Sequence, residues 1–175
     1  MATNTEIVFE VEYENHAWGY VHSGILIMPD GVVTKYSYPP SVDLKTKSLH
    51  AKPFRILTSQ RLDQLHKLMH NVTDEPIKDF GRVAFDAGTT TVNAYVRQPN
   101  HYEWKKILLA EGGVKCKVNP SAKNLVLFII DVTDANEFIG LDLIKGLPDP
   151  APRVVEPTRP VRPIKPAKED FCIIF

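Results

Sequence analysis

Residues Asp86 to Thr90 read Asp-Ala-Gly-Thr-Thr and combine the groups that phosphate binding requires. Gly88 lets the backbone approach a ligand closely, so that backbone amides can donate to phosphate oxygens. The hydroxyls of Thr89 and Thr90 add two donors, and the carboxylate of Asp86 acts through a bound magnesium ion. One candidate function is therefore a small enzyme or domain that binds nucleotide phosphates.

The same five residues resemble the first phosphate loop of the sugar-kinase and actin superfamily of ATPases. In that superfamily an Asp-x-Gly-Thr-Thr hairpin wraps the nucleotide phosphates, so the resemblance implies phosphate contacts from these residues. Those proteins carry the loop on their first strand and close the nucleotide between two large domains, whereas here the motif lies near the middle of a short chain. We therefore favour another interpretation, in which Ala87-Gly88 is the turn of a hairpin between Thr-rich strands.

His66 and His70 form the one pair with metal-ligand spacing, because positions four apart on a predicted helix share a face. Such a pair binds zinc when a third ligand arrives from elsewhere in the fold. No Glu adjoins the pair as in a protease motif, and no Cys or Asp stands at a fixed spacing. We therefore predict that the two histidines flank a buried stripe, and we predict neither a metal nor another cofactor.

Other chemically capable side chains do not form a recognisable catalytic set. His16 and His22 flank Trp18 and Tyr20, but no Ser, Cys or acidic residue completes a recognisable arrangement nearby. Two of Asp86, Glu103 and Glu111 could pair as acid and base, but the sequence does not establish the separation in space that such a pair requires. The sequence therefore predicts no catalytic residues, and we expect a binding protein in preference to an enzyme.

Composition limits the function classes further. The chain has 175 residues, 43% of them hydrophobic, which is enough for one domain with a core. Its 21 basic and 21 acidic residues leave no net charge, so no overall attraction for nucleic acid is expected. The N-terminal residues lack the features of a secretory signal, and the two cysteines do not make a disulfide framework, so we expect a cytoplasmic protein.

Alternating side chains predict the first strands. From Ile7 to Glu14, apolar residues alternate with a set that includes Glu10 and Glu12, which predicts a strand with an acidic outer face. Two further strands, about 20–28 and 32–38, flank Pro29-Asp30-Gly31 and predict a hairpin, because Pro presets φ and Gly takes the left-handed position.

The middle of the chain predicts three more strands in sequence order. Val83 and Phe85 lie before the Ala87-Gly88 turn, and Val92, Ala94 and Val96 alternate with polar residues after it. A third strand covers about 102–109. Neighbours in sequence usually pair in space, so these strands are expected to form an antiparallel meander.

Helical patterns complete the folded part. Residues 41–54 lack periodicity and predict a loop, whereas 59–72 carry an apolar stripe behind a Thr58 or Ser59 cap. Asn119-Pro120-Ser121 predicts a helix start, although the apolar run after it also fits a buried strand, and 134–145 predict a short last helix. The expected fold is an α+β domain over residues 1–146, with an antiparallel sheet of about five to seven strands and two or three helices on one face.

The segments Asn15-His16-Ala17-Trp18-Gly19 and DAGTTT, with the later Lys-Asn-Leu, resemble a layout found in small bacterial proteins of unknown function, some of them lipoproteins. The resemblance covers roughly Phe9 to Asp131. It implies a Trp-containing turn, a hairpin, a helix, a second hairpin and a final helix. It implies no binding or catalytic residues, and those proteins lack the Pro-rich tail seen here.

The tail, residues 147–175, is rich in prolines and basic residues. Prolines recur every third position in the segment PTRPVRPIKP, which matches the three residues per turn of a polyproline II helix. The spacing of Pro157, Pro160 and Arg162 fits a ligand of an SH3-type domain. A stiff, soluble spacer is the alternative. The predicted contact residues are Pro157, Pro160, Arg162, Pro163 and Lys165.

The last four residues, Cys-Ile-Ile-Phe, resemble a prenylation box with Cys172 as the lipid acceptor and a terminal Phe of the geranylgeranyl type. One prenyl group binds a bilayer reversibly, and the upstream basic residues supply a second attraction to anionic lipids. Such an anchor requires a eukaryotic host. The alternative is that Phe171 to Phe175 dock on the folded domain. The leading interpretation is an adaptor recruited through its tail.

Overall fold

The structure, a computed structural model, describes residues 5–16, 19–39, 41–73, 75–82, 88–98 and 102–150. These residues form one antiparallel sheet with helices packed against it. The predicted α+β class and the antiparallel sheet are therefore confirmed. The described part contains eight strands and four helices, which is more of each than the sequence predicted.

The strands pair in the order β4-β3-β2-β1-β6-β7-β8-β5. Central positions are thus occupied by β1 and β6, which pair over nearly their whole lengths. The strands are β1 (Glu6–Asn15), β2 (Val21–Ile27), β3 (Val32–Ser37), β4 (Lys52–Ile56), β5 (Lys78–Arg82), β6 (Thr89–Arg97), β7 (Lys105–Gly112) and β8 (Lys115–Val118).

The helices cover both faces of the sheet. They are α1 (Leu44–His50), α2 (Ser59–His70), α3 (Lys123–Thr133) and α4 (Leu141–Gly146). Leu65 of α2 and Ile129 of α3 pack with Phe9 and Val92 in the main apolar core. Leu44 of α1 packs instead on the opposite face. The prediction that all helices share one face is therefore wrong, and we name the two sides the α2/α3 face and the α1 face.

The segment 41–54 was predicted to be a loop, but it contains α1 and β4. The helix is started by Asp43, whose side chain accepts a hydrogen bond from the backbone N–H of Thr46 at 2.9 Å. The hydroxyl of Ser41 donates to the same carboxylate at 2.5 Å, and these hydrogen bonds hold the pKa of Asp43 below its usual range. Local capping therefore outweighs the weak periodicity of this segment.

The predicted hairpin around Ala87-Gly88 is also wrong. Both edges of β6 are occupied, one by β1 and the other by β7, while β5 pairs with β8 at the far edge of the sheet. Val83 and Phe85 lie outside the described residues. The expected β6–β7 pairing is present, but a long-range partner, β1, takes the place of the preceding strand. Sequence neighbours pair often, yet not always.

The β2–β3 hairpin has the predicted turn. Gly31 has a φ of 84°, a value that side-chain-bearing residues rarely adopt. The carboxylate of Asp30 accepts a hydrogen bond from the N–H of Val32 at 3.0 Å. This turn is confirmed in the form that its residue types predicted.

The two later helices were predicted with different success. Asn119 caps a 3-10 turn (Pro120–Ala122) that leads into α3, so the apolar run is a helix and not a buried strand. The last helix begins at Leu141, not at Asp134. Asp134 has a φ of 54°, and this left-handed conformation ends α3.

Both edge strands carry features that oppose pairing with another chain. In β4, Pro53 lacks a backbone N–H, Lys52 is exposed, and the pairing with β3 contains a register shift. In β5, Gly81 has a φ of 110° and the pairing with β8 is interrupted. Charges, Pro and irregular pairing at edges discourage strand addition. The usable surface of this sheet is therefore on its faces.

Candidate functional site

The acidic side of β1 is not an outer face. Glu10 is fully buried, and Glu12 is largely covered beneath α1. The prediction of an acidic outer face is therefore wrong, because the sequence did not reveal that α1 covers this side. We call the polar cluster at this position the buried network; its members are Glu10, Glu12, His22, Tyr36, Lys47, Asn93 and Tyr95.

Glu10 is the centre of the buried network. One carboxylate oxygen accepts from the ammonium group of Lys47 at 2.8 Å and from the Tyr36 hydroxyl at 2.9 Å. The other accepts from the Tyr95 hydroxyl at 2.8 Å and from the side-chain amide of Asn93 at 3.2 Å. A buried carboxylate is tolerated only when it is paired and hydrogen-bonded, and Glu10 meets both conditions.

Glu12 connects this cluster to the surface. It pairs with Lys47, and it accepts from Nε2 of His22 at 2.7 Å. The other ring nitrogen, Nδ1, lies 3.0 Å from the hydroxyl of half-exposed Tyr20. Burial raises the pKa of Glu12, but the hydrogen bonds from Lys47 and His22 outweigh burial and hold it below its usual range. Glu12 therefore stays ionised.

The remaining charges and hydroxyls of the buried network are equally held. Burial lowers the pKa of Lys47, but Glu10 and Glu12 outweigh this effect and raise it overall. Burial, reinforced by the charge of Glu10, raises the pKa of both Tyr36 and Tyr95, so both hydroxyls keep their protons and donate. These charges and hydroxyls are already used within the network, and Oδ1 of Asn93 is its one buried oxygen without a partner among the described residues. Such pairing suits a structural role better than chemistry on a substrate.

Gly24 makes the Tyr36 contact with Glu10 sterically accessible. Gly24 stands between Glu12 on β1 and Tyr36 on β3 in the sheet register. A Cβ at this position would overlap the end of the Tyr36 side chain. Because Gly has no side chain, Tyr36 extends across β2 to reach the carboxylate. The need for Gly at position 24, where Tyr36 passes over the backbone, is not visible in the sequence alone.

The α2/α3 face carries an open cleft of about 770 Å³ beside the apolar core. Its floor is formed by β1, β2, β3 and β6, and its wall is the segment 134–139 between α3 and α4. A volume of this size is within the range of small-molecule sites, roughly 300–1,000 Å³. The cleft is therefore the candidate binding site of the described residues.

A line of hydroxyl-bearing residues crosses the floor of the cleft. The cross-strand register places Ser37 opposite Ser23 and Ser23 opposite Tyr13. On the other side of β1, Thr90 of β6 is opposite Tyr13 and continues the same line. All of these residues line the cleft. We call them the hydroxyl row; it consists of Ser37, Ser23, Tyr13 and Thr90.

Much of the hydrogen-bonding capacity of the hydroxyl row is unused. Thr90 is only 4% exposed, and its hydroxyl has no hydrogen-bond partner among the described residues. The hydroxyls of Ser23 and Ser37 are likewise without partners in the described part of the chain. The hydroxyl of Tyr13 accepts from the side-chain amide of Asn15 at 3.0 Å, so its own proton is available to another acceptor.

The wall of the cleft is held from two directions. The guanidinium group of Arg55 on β4 donates to the carbonyl oxygen of Val132 at 3.0 Å and pairs with Asp134. On the other side the backbone of Ile139 lies directly over Gly112, where a Cβ would overlap the Ile139 carbonyl oxygen. The absence of a side chain at Gly112 therefore decides how closely the wall approaches the sheet.

The described residues of the predicted phosphate loop, Gly88 to Thr90, do not present one surface. Gly88 is buried, and a Cβ there would meet the Glu14 carbonyl oxygen and the Tyr13 ring, so its open side is filled by the protein itself. Thr89 and Thr90 are successive strand residues, of which Thr89 is exposed and Thr90 buried. Asp86 lies outside the described residues.

The other predicted site residues are dispersed or lie outside the described chain. On α2, His66 is half-buried and His70 exposed, and the described residues contain no group of three or more side chains that could hold a metal ion. None of the described helices is long and apolar enough to cross a membrane.

The predicted tail residues lie outside the described part of the chain. They are Pro157, Pro160, Arg162, Pro163, Lys165 and Cys172.

The sequence predictions missed both polar regions. A usable signal for the buried network existed in β1, where Glu10 and Glu12 share the side of Val8, a residue that a strand buries readily. A charge partner had to come from elsewhere, and Lys47 lay in a segment predicted to be a loop. The hydroxyl row has no such signal, because its members come from separate strands and only their register aligns them.

Comparison with known proteins does not assign the site. No protein-family model matches the chain, and no match was found among curated proteins. Candidate functions therefore rest on the geometry of the buried network and the cleft.

Proposed function

We propose that the protein is a non-enzymatic binding module, in which the cleft holds a ligand and the Pro-rich tail recruits the domain to a partner. The observation that carries the proposal is the hydroxyl row, which places unused donors and acceptors in a concave site on a rigid sheet. Concave sites with a few convergent polar groups are the usual form of ligand pockets.

The buried network supports binding in preference to catalysis. General acid–base chemistry needs a group that can exchange its proton with a substrate near neutral pH. Here Glu10 and Glu12 share the ammonium group of Lys47, Lys106 lies 3.6 Å from Glu12, and the hydroxyls of Tyr36 and Tyr95 are held as donors to Glu10. The network stabilises the position of α1, and the open polar surface lies on the opposite face.

The recruiting role of the tail is supported by sequence alone. Its proline period fits a polyproline II ligand in which Pro157, Pro160 and Pro163 enter aromatic grooves, while Arg162 and Lys165 meet acidic residues. Cys172 in the terminal box then anchors the protein to a membrane surface when the host contains prenylation enzymes. Both parts belong to the proposal and act independently of the cleft.

The cleft is tested by amide chemical-shift mapping of the full chain with a mixed set of small neutral probes: an N-acetylated dipeptide amide, glycerol and a disaccharide. We expect shifts that cluster at the ends of β1, β2, β3 and β6 that line the cleft. The control is Gly112→Ala, which displaces the wall and should weaken the response. Shifts scattered over the surface, or none at all, would contradict binding at this site.

The tail is tested by capture of the full chain on a panel of immobilised SH3 domains. Arg162→Ala should weaken capture more than Arg153→Ala, because only Arg162 stands at the position that fits the proline spacing. Equal losses would show that net charge and not the motif is recognised.

The anchor is tested by expressing the protein in eukaryotic cells and separating membrane from soluble fractions. Cys172→Ser should move the protein from the membrane fraction to the soluble fraction. An unchanged distribution would contradict prenylation.

Nucleotide binding at the Asp86 to Thr90 segment is the alternative function. It has less support, because the Tyr13 ring and the Glu14 backbone occupy the space beside Gly88 that a phosphate would need. Calorimetric titration with ATP and magnesium, with Thr89→Ala as the matched variant, tests it directly. Saturable binding that is lost in the variant would overturn the preference for the cleft.

A further inference from the structure

From the hydroxyl row and its surroundings we infer that the cleft takes an elongated, neutral, hydroxyl-rich ligand of the short oligosaccharide class. This inference rests on the proposed function, since it names the ligand chemistry of the same cleft. It is carried by the pattern of donors and acceptors, the charge distribution and the apolar surface beside the row.

The hydroxyl row matches a ligand that carries several polar groups along its length. Each hydroxyl can donate one hydrogen bond and accept others, so its best partners are groups that do both. Neighbouring strands are 4.7–4.9 Å apart, so the backbone positions of the row from Ser37 to Thr90 span about 14 Å. Sugar hydroxyls satisfy both requirements, because they donate and accept and are repeated along an oligosaccharide.

The charges around the cleft favour a neutral ligand. Lys35 is the basic residue of the floor, and its ammonium group lies 4.4 Å from the centre of the Phe54 ring, where it already has a favourable contact. On the wall, Asp134 pairs with Arg55, and Glu137 adds a negative charge. Opposite charges on the two sides of the cleft leave no strong preference for an anion or a cation.

The cleft also has apolar surface beside the hydroxyl row. Val11 and Ile25 are opposite each other, two residues along the strands from the Tyr13–Ser23 pair. Phe138 and Ile139 belong to the wall. A purely apolar ligand would bury the row without partners, which is unfavourable because each hydroxyl would lose its hydrogen bonds to water. A sugar ring avoids this cost, because it has hydroxyls at its edge and C–H groups on its faces.

An extended peptide fits less well. Peptides that bind to sheets usually add a strand at an exposed edge and use backbone hydrogen bonds. Here Pro53 in β4 and the irregular pairing of β5 protect the two edges, and the cleft lies on a face of the sheet. The side chains of the hydroxyl row, and not backbone groups, are the partners offered to a ligand.

The test is a chemical-shift titration of the full chain with maltotriose and cellotriose, two neutral linear trisaccharides, and with tri-serine amide peptide as the competing class. We expect saturable shifts from at least one trisaccharide at the residues of the hydroxyl row. The double variant Ser23→Ala, Ser37→Ala should weaken that affinity roughly tenfold, at about threefold for each lost hydrogen bond. The matched control Ser59→Ala removes an exposed hydroxyl on α2, and it should leave the affinity unchanged.

The outcomes separate two claims: that the cleft is a binding site, and that its ligand is an oligosaccharide. If the peptide shifts the cleft and neither trisaccharide does, the oligosaccharide inference is overturned while the cleft remains a binding site. If no probe shifts the cleft, both fail. Trisaccharide binding that is unaffected by the double variant would also overturn the inference, because the hydroxyl row would then not be the recognised surface. Thr90→Val gives a second check at the buried end of the row, with a smaller expected loss of about threefold.

Discussion

The two faces of the same sheet differ in how their polar groups are paired. Each still holds buried oxygens without a hydrogen-bond partner among the described residues, Thr34 and Asn93 on the α1 face and Thr90 on the other. On the α1 face, buried charges are matched by partners within the chain, as with Glu10, Glu12 and Lys47. On the α2/α3 face the core is apolar, and the polar groups of the hydroxyl row stand at its margin without equivalent partners. Satisfied groups stabilise a fold, whereas unused groups beside a cleft remain available to a ligand.

The same strands produce both faces, because successive side chains of a strand point to opposite sides. Val11 and Tyr13 contribute to the α2/α3 face, while Glu10 and Glu12 contribute to the α1 face. A substitution in β1 therefore affects either the buried network or the cleft, depending on whether its position is even or odd. Variants on the two faces should accordingly separate stability from binding.

The largest expected effect comes from breaking the charge pairing on the α1 face. Lys47→Met removes the cation shared by Glu10 and Glu12 and leaves the fully buried Glu10 without a charge partner, while Glu12 keeps Lys106 at 3.6 Å; the cost is about 3–5 kcal/mol in free energy of unfolding. The measurement is urea-induced unfolding followed by circular dichroism. Lys45→Met, on the exposed side of the same helix, is the control and should change the unfolding free energy little. Similar losses in the two variants would mean that the network contributes nothing specific.

The next effect compares close approaches on the two faces. Gly24→Ala should displace Tyr36 from Glu10, and Gly112→Ala should displace the wall of the cleft; each should cost roughly 1–3 kcal/mol through overpacking. Gly24→Ala should weaken ligand binding in the cleft less than Gly112→Ala, because Gly24 lines the cleft through its backbone and the added methyl would meet Tyr36. Gly146→Ala has open space around the added methyl and serves as the control in the same unfolding and titration experiments. Equal binding losses in the two variants would remove the distinction between the faces.

The pH dependence of stability should come mainly from the α1 face. The folded pKa of Glu12 is lowered, so its stabilisation is present above the unfolded value, about 4.3, and is lost as pH falls through the folded pKa. The folded pKa of Lys47 is raised, so its stabilisation is complete below the unfolded value, about 10.4, and is lost as pH rises through the folded pKa. The raised pKa values of Tyr36 and Tyr95 act in the same alkaline direction.

Urea midpoints measured from acid to alkaline pH check this expectation. Glu12→Gln should flatten the acid side of the profile, because the substituted group no longer titrates, whereas Ser23→Ala in the cleft should leave the profile unchanged. An acid profile of Glu12→Gln that matches the wild type would show that other carboxylates dominate.

The smallest expected effect concerns the unpartnered hydroxyls. Thr90→Val on the cleft face and Thr34→Val on the α1 face each remove a buried hydroxyl that lacks a partner among the described residues. Both should leave the free energy of unfolding unchanged or raise it by about 1 kcal/mol, because a desolvated polar group is replaced by a methyl of similar size. Only Thr90→Val should also weaken ligand binding. Destabilisation by either variant in urea unfolding would reveal a hidden hydrogen bond.

Local chemistry made several elements predictable from the sequence. The Pro29-Asp30-Gly31 turn and the Asn119 start of the third helix depend on residues adjacent in the chain, and both are present as predicted. The alternation of Val92 and Ala94 with polar neighbours likewise identified which side of β6 enters the main core. Signals of this kind need no information about distant segments.

Other elements could not be predicted because they depend on distant partners. The preceding strand was expected beside β6, but β1 occupies that position, and nothing within the Gly88 segment indicates this long-range pairing. Glu10 resembled a solvent-exposed residue until Lys47 and α1 were seen to cover it. The burial of a charge depends on whether a counter-charge reaches it, and that depends on the tertiary fold.

Residue types and spacing were sufficient to predict the α+β class, the Pro29-Asp30-Gly31 turn, the Thr58 and Asn119 caps and the alternation of apolar and polar residues along the strands. Tertiary structure alone decided which strands became neighbours, and with them the alignment of Ser37, Ser23, Tyr13 and Thr90 across one face and the pairing of Glu10 with Lys47 on the other. The physical reason is range: caps, turns and alternation act between residues close in the chain, whereas register and charge pairing arise between residues that only folding brings together.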